Sequence, residues 1–270
     1  MQAVFLTIML LLGLVVGSFS CCQARRLRAR EAKKPIKSKW SICEHCGKRL
    51  KWYENIPVVS WVLQRGRCRK CGEKIGCAEI FTELLMGGAF VMLGLKFWPE
   101  ISEVSSGGGV ADWARLGVEM ILMMALFTLY GILFVYDAMW KVMPTAILWA
   151  AVVVAAGYFG VALLGRVEIF SALAAIGVLP GVYFLLYFLS DEKLVGGGDW
   201  ILALSLALIL GNFWLAFVTL FLANFLATIV YLPSLVRKER QKEIAFGPFL
   251  ILAGVAVFFA QGFILKLVIF

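Results

Sequence analysis

The sequence predicts an all-α polytopic membrane protein, with about eight transmembrane helices and one small cytoplasmic zinc-binding domain. Three observations carry this. Hydrophobic residues make up 62% of the chain and mean hydropathy is +0.90, against roughly 45–50% apolar residues in soluble domains. The apolar residues fall into runs close to the ~20 that cross a bilayer as a helix. One polar stretch carries a duplicated Cys-x-x-Cys pattern.

Spans are expected at 2–20, 80–98, 115–136, 143–164, 168–190, 199–211, 212–232 and 247–268. The first has no Lys or Arg before its apolar run and a basic run after it. That is the order of a retained helix with its N-terminus outside, not of a cleaved secretory signal. Ser18-Phe19-Ser20-Cys21 lacks the aliphatic residue of a lipoprotein cleavage site. The sixth run is short and meets the seventh at Gly211-Asn212. Three regions follow: 1–20 as the first helix, 21–79 as a zinc-ribbon-like loop domain, and 80–270 as the helical bundle. Residues 99–114, with Ser105-Ser106-Gly107-Gly108-Gly109, read as a flexible external connection.

The net charge of +9 is unevenly spread. Sixteen of the 26 basic residues lie between Arg25 and Lys74. Arg237, Lys238, Arg240 and Lys242 form a second group, and Lys141 and Lys193 sit in two short loops. Eight spans that start outside bring all 22 to one side and leave Lys96, Arg115, Arg166 and Lys266 for the other. Excess Lys and Arg mark the cytoplasmic side, so 21–79 is placed there. A basic patch also suits nucleic acid. Beside eight spans it reads as a solvated face near anionic membrane lipid, and no nucleic-acid partner is expected.

Residues 21–79 are too few for a generous core of their own, and the cysteines offer a staple. Cys43 and Cys46 form one pair, Cys68 and Cys71 the other, with 21 residues between the pairs and a glycine after each, Gly47 and Gly72. Four thiolates so spaced reach tetrahedrally around one Zn²⁺, and the metal supplies folding energy that the small core lacks. Disulfides, the bland reading, are rare in the cytoplasm. His45, the only histidine, lies inside the first pair and is assigned to the surface of the turn; a His-based metalloprotease motif is excluded. Cys21, Cys22 and Cys77 are assigned as packing thiols.

Only four aspartates occur: Asp112, Asp137, Asp191 and Asp199. On the derived topology Asp137 ends the third span and Asp199 opens the sixth, both at the cytoplasmic face. Carboxylates that approach closely share a proton; the charged one acts as base on a water and the protonated one polarises a carbonyl. Gly196, Gly197 and Gly198 remove side chains beside Asp199, opening backbone angles and an approach for extended substrate. Taken singly, Asp137 is an ordinary residue at a helix end and Asp199 an N-terminal cap. Their joint placement points to catalysis. Glu83 and Glu119 sit near span ends and are assigned to the interface, Asp191 and Glu192 to a solvated loop.

The chain resembles the bacterial type IV prepilin peptidase family along almost its whole length. The resemblance is carried by Gly17-Ser18-Phe19, Cys43-Glu44-His45-Cys46-Gly47, the run from Trp52 to Trp61, Arg65 to Gly72, Glu83-Leu84-Leu85, Asp137 with Pro144, Gly196 to Asp199 as a GxGD motif, and Phe246-Gly247-Pro248-Phe249. It implies a GxGD aspartyl endopeptidase of the bacterial inner membrane, with Asp137 and Asp199 as catalytic residues. By the same resemblance, the substrates are prepilin or pseudopilin precursors, cleaved after a glycine. The new α-amine is then methylated with S-adenosylmethionine, by residues the resemblance does not locate. The sequence departs from the family at Ser20-Cys21-Cys22, Ala78-Glu79-Ile80, Thr145 and Ile201.

Two other classes compete. A zinc-ribbon membrane assembly protein explains the cysteines but leaves both aspartates idle. An ion-coupled transporter uses carboxylates near the bilayer midplane, whereas these are expected at the face.

Overall fold

The computed structural model describes residues 1–33, 40–43, 45–163, 168–190, 195–236 and 245–268. Glu44, Asp191, Glu192, Lys193, Arg166 and the group Arg237, Lys238, Arg240 and Lys242 lie outside the described residues. The described chain forms helices α1 (Gln2–Glu31), α2 (Val59–Leu63), α3 (Cys77–Gly107), α4 (Val110–Trp140), α5 (Thr145–Ala162), α6 (Ile169–Leu189), α7 (Gly197–Leu210), α8 (Phe213–Val236) and α9 (Gly247–Val268). It divides into two compact units, Met1–Pro99 and Glu100–Phe270.

In the first unit, α1 and α3 meet through small residues. A methyl group built on Gly13 would come within 2.5 Å of the Met86 carbonyl oxygen, and one on Gly17 within 2.5 Å of the Glu83 Cα. Backbones this close leave room only for glycine, the usual means of joining helices in lipid, where apolar burial gives no drive. Gly17 of the Gly-Ser-Phe motif is therefore a packing residue. The segment between these helices holds two isolated antiparallel bridges, Ile42 with Arg49 and Arg67 with Lys74. A 3-10 turn at Trp52–Glu54 and the short α2 complete it.

In the second unit, α7 is the central element and packs against α5, α6, α8 and α9. Its 14 residues rise about 21 Å, short of the ~30 Å hydrocarbon layer. Seven of the helices, α1, α3, α4, α5, α6, α8 and α9, are long and apolar enough to cross a membrane. The chain is thus a multi-pass membrane protein with a short, buried eighth helix. Leu202, Ala203, Leu206 and Ala207 of α7 are fully buried, as expected of a helix that is apolar on every face.

Two expectations are corrected. The chain does not leave the helix at the expected end of the first span, residue 20, but stays helical to Glu31. Residues 99–114 are not a flexible connection: α3 runs to Gly107 and α4 starts at Val110. Ser105 and Ser106 turn their hydroxyls onto the carbonyls of Ser102 and Glu103, which keeps them in the helix. The break narrows to Gly108-Gly109, and Asp112 caps it by accepting from the Gly109 N–H at 3.0 Å.

Candidate active site and cysteine cluster

Asp137 sits in the last turn of α4. That helix ends at Lys141, whose left-handed backbone (φ 56°) lets its N–H return to the Asp137 carbonyl at 2.7 Å. Pro144 then caps α5. Asp199 lies in the first turn of α7 and closes a capping box, its Oδ2 accepting the Gly196 N–H at 3.1 Å. Both carboxylates are buried, at 4% and 5% exposure, and lie within electrostatic reach of each other. Asp137 Oδ2 accepts the backbone N–H of Gly247, the first residue of α9, at 2.9 Å. Asp199 Oδ1 is buried with no hydrogen-bond partner among the described residues. A buried carboxylate oxygen left unpaired is costly, so the site carries an unspent acceptor beside a second acid.

The glycines earlier assigned to backbone freedom act through space instead. Gly196 has φ −70° and ψ 147°, open to any residue. A methyl group on Gly197 would come within 3.2 Å of the Tyr187 ring, and one on Gly198 within 3.1 Å of Met143 Cε and 3.2 Å of Leu148. Met143 links the two sides, because a methyl group on Gly247 would reach Asp137 Oδ2 at 2.8 Å and Met143 Sδ at 3.2 Å. Gly247 and Met143 were not singled out from the sequence as site residues. The Gly-Pro pair opening an apolar run was the signal for Gly247; Met143 left none. Tyr183 of α6 completes the surroundings: buried, it accepts from the Asn224 amide at 3.0 Å and packs on Phe246, one residue before Gly247.

The sulfurs of Cys43, Cys46, Cys68 and Cys71 all lie within 4.8 Å of one another. The two pairs fold alike. Cys43 N–H donates to Lys48 O and Gly47 N–H to Cys43 O, each at 2.9 Å; Cys68 N–H donates to Glu73 O and Gly72 N–H to Cys68 O, each at 2.9 Å. Gly47 and Gly72 take φ +66° and +72°, the left-handed turn that glycine adopts without penalty. Backbone N–H groups of Cys71 and Lys70 hold the Cys68 thiol down to about 6, favouring the thiolate a metal requires. Cys43 and Cys71 sulfurs lie 3.9 Å apart, beyond any S–S bond and close to the ~3.8 Å edge of a tetrahedron with 2.3 Å Zn–S bonds. The cluster therefore fits a four-thiolate metal site. His45 is exposed and outside it.

Glu83 and Glu119 do not reach an interface, as expected from sequence, but are buried at 6% and 2% exposure. Glu83 Oε2 accepts the N–H of Val58 at 2.7 Å. Val58 is the centre of a γ-turn (φ 61°, ψ −53°), with Val59 N–H reaching Pro57 O at 2.6 Å. A β-branched residue there stores on the order of 1–3 kcal/mol of strain. Glu119 lies one turn from Arg115 at 3.8 Å.

The class so defined is a polytopic membrane protein with a buried aspartate pair in its helical unit and, on the same chain, a four-cysteine cluster. The comparisons supply the family. Residues 11–97 match the family model described as Bacterial Peptidase A24 N-terminal domain. The chain is 31% identical to the Burkholderia pseudomallei prepilin leader peptidase/N-methyltransferase, over 84% of this chain and 69% of that protein. It is 26% identical to the protein of that name from Vibrio cholerae, over 96% of this chain and 98% of the relative, and 28% identical to that of Dickeya chrysanthemi, over 93% and 91%. No solved structure matches. The chain belongs to the bacterial type IV prepilin peptidase family.

Proposed function

We propose that the protein is a membrane aspartyl endopeptidase that removes the leader from prepilin or pseudopilin precursors and then methylates the new N-terminal amine. The observation that carries the peptidase reading is the buried pair Asp137 and Asp199, each holding one backbone N–H while Asp199 keeps an unpaired oxygen. The relatives' shared name supports both activities; neither the assembly-protein nor the transporter reading has such support.

In the proposed reaction the pair shares one proton. The charged carboxylate takes a proton from a water, whose oxygen attacks the scissile carbonyl, while the protonated one donates to the carbonyl oxygen. The unpaired Asp199 Oδ1 is the natural acceptor for that water. Gly247 fixes the rotamer of Asp137, and Gly196, Gly197 and Gly198 bring the chain close to Tyr187, Met143 and Leu148 at a narrow substrate edge that suits a small residue before the scissile bond. Cys43, Cys46, Cys68 and Cys71 hold a structural zinc, which fastens the loop domain without entering the reaction. S-adenosylmethionine, when bound, supplies an electrophilic methyl group. The basic residues of 21–79 support an inner-membrane protein with this domain and the aspartates at the cytoplasmic face. Incubating the purified protein with a prepilin, with and without S-adenosylmethionine, and weighing the products tests both activities. Mature pilin and its singly methylated form are expected; an unprocessed precursor would refute the reading.

A further inference from the structure

The segment between α1 and α3 holds one helix that is built inside out. α2 turns Val59, Val62 and Leu63 outward, exposed at 50%, 56% and 69%. Ser60, Trp61 and Gln64 form its half-buried side. Gln64 Nε2 donates to the Glu54 carbonyl at 3.4 Å. The Trp61 ring packs on Gly66, where a methyl group would meet it at 2.9 Å. A helix that faces water shows the reverse order, with apolar residues in and polar residues out. An exposed apolar face of this kind marks a contact surface.

Two observations say what covers it. The first is depth. Glu83 Oε2 accepts the N–H of Val58, the residue that opens α2, at 2.7 Å. Glu83 belongs to α3, a helix of spanning length and apolarity, and the large apolar side chains Phe81 and Leu84 on either side of it are exposed. On α3 the apolar run begins at Ile80, and Glu83 lies about 4.5 Å of helix rise beyond it. α2 is therefore pinned at the depth of the first turn of a span. A helix of five residues does not persist alone, so this bond and the strained turn at Val58 set its orientation. The second observation is charge. Arg65, Arg67, Arg69 and Lys70 follow α2 directly and are all exposed. An amphipathic helix with a basic rim lies in the plane of the membrane interface, held by its apolar face and by anionic headgroups.

We propose that α2 is an interfacial helix whose ligand is an anionic phospholipid surface. Val59, Val62 and Leu63 enter the boundary between headgroups and acyl chains in the leaflet that the loop domain faces. Arg65, Arg67, Arg69 and Lys70 bind the phosphates of that leaflet. The contact fixes the height of the cysteine-bearing segment over the bilayer. It takes no part in hydrolysis, so it stands or falls apart from the peptidase reading.

The test uses the full chain in vesicles of phosphatidylethanolamine and phosphatidylglycerol. Val62 and Leu63 are replaced one at a time by photoreactive benzoylphenylalanine, with Phe81 replaced likewise as the lipid-facing reference on α3. Irradiation is expected to give phospholipid adducts at all three positions. Hydrogen exchange of the wild type covers the case of a misfolded variant. The amides of 59–65 should exchange about tenfold more slowly in these vesicles than in vesicles of phosphatidylcholine alone, the scale of one or two basic residues at an anionic surface. Adducts to another protein chain at Val62 and Leu63 would assign the face to a protein partner and overturn the proposal. So would no adduct at either position where Phe81 gives one, or equal exchange in the two kinds of vesicle.

Discussion

Gly247 donates its backbone N–H to Oδ2 of Asp137 at 2.9 Å, joining the start of α9 to the end of α4 across 110 residues of sequence. Nothing larger than hydrogen fits on Gly247, since a methyl group would meet that oxygen at 2.8 Å. Gly247→Ala is expected to turn the carboxylate and lower the cleavage rate by roughly 10–10²-fold, the usual penalty for a displaced catalytic group. Gly262→Ala is the control within α9, because open space surrounds that glycine. It should leave cleavage unchanged. Rates on a common prepilin decide the matter.

The cysteine cluster predicts about one zinc per chain, measurable by elemental analysis. Cys68→Ser should lose most of that metal and lower the melting temperature of the loop domain, because metal binding and folding are one equilibrium in such modules. Cleavage should fall less than stability does, since the aspartates belong to the other compact unit. A metal-free protein with a fully folded loop would contradict this.

The charge distribution predicts which side the loop domain occupies. Trp52 is 80% exposed, so Trp52→Cys offers an accessible thiol above the background of the native cysteines. A membrane-impermeant maleimide should label it in inside-out vesicles and spare it in intact spheroplasts. Labelling from the periplasmic side would reverse the topology.

Much of this architecture was legible from hydropathy. Seven of the eight expected runs became helices of spanning length, because uninterrupted apolar stretches have few alternatives. The exception, α7, shows what hydropathy omits: an apolar run can be buried in protein as well as in lipid, and only its 14 residues hinted at the difference. The error at 99–114 came from composition. Serine and glycine suggested a loop, but the Ser105 and Ser106 hydroxyls satisfy helix carbonyls and the helix continues. The cysteine spacing foretold the cluster well, since the knuckle geometry is local. The partners of the aspartates were harder to see. Asp137 depends on Gly247, and Gly198 on Met143, contacts made only when distant helices pack.

The central claim is that Asp137 and Asp199 act together as the catalytic pair. Asparagine keeps the size of each side chain and its bond to Gly247 or Gly196, but removes the base or the shared proton. The direct measurement is the single-turnover rate of leader removal from one purified prepilin by wild type, Asp137→Asn and Asp199→Asn, each with its zinc content and melting profile confirmed as native. Each substitution should lower the rate by at least about 10²–10⁴-fold, the contribution of a general acid or base. Leader removal at the wild-type rate by either folded variant would contradict the account.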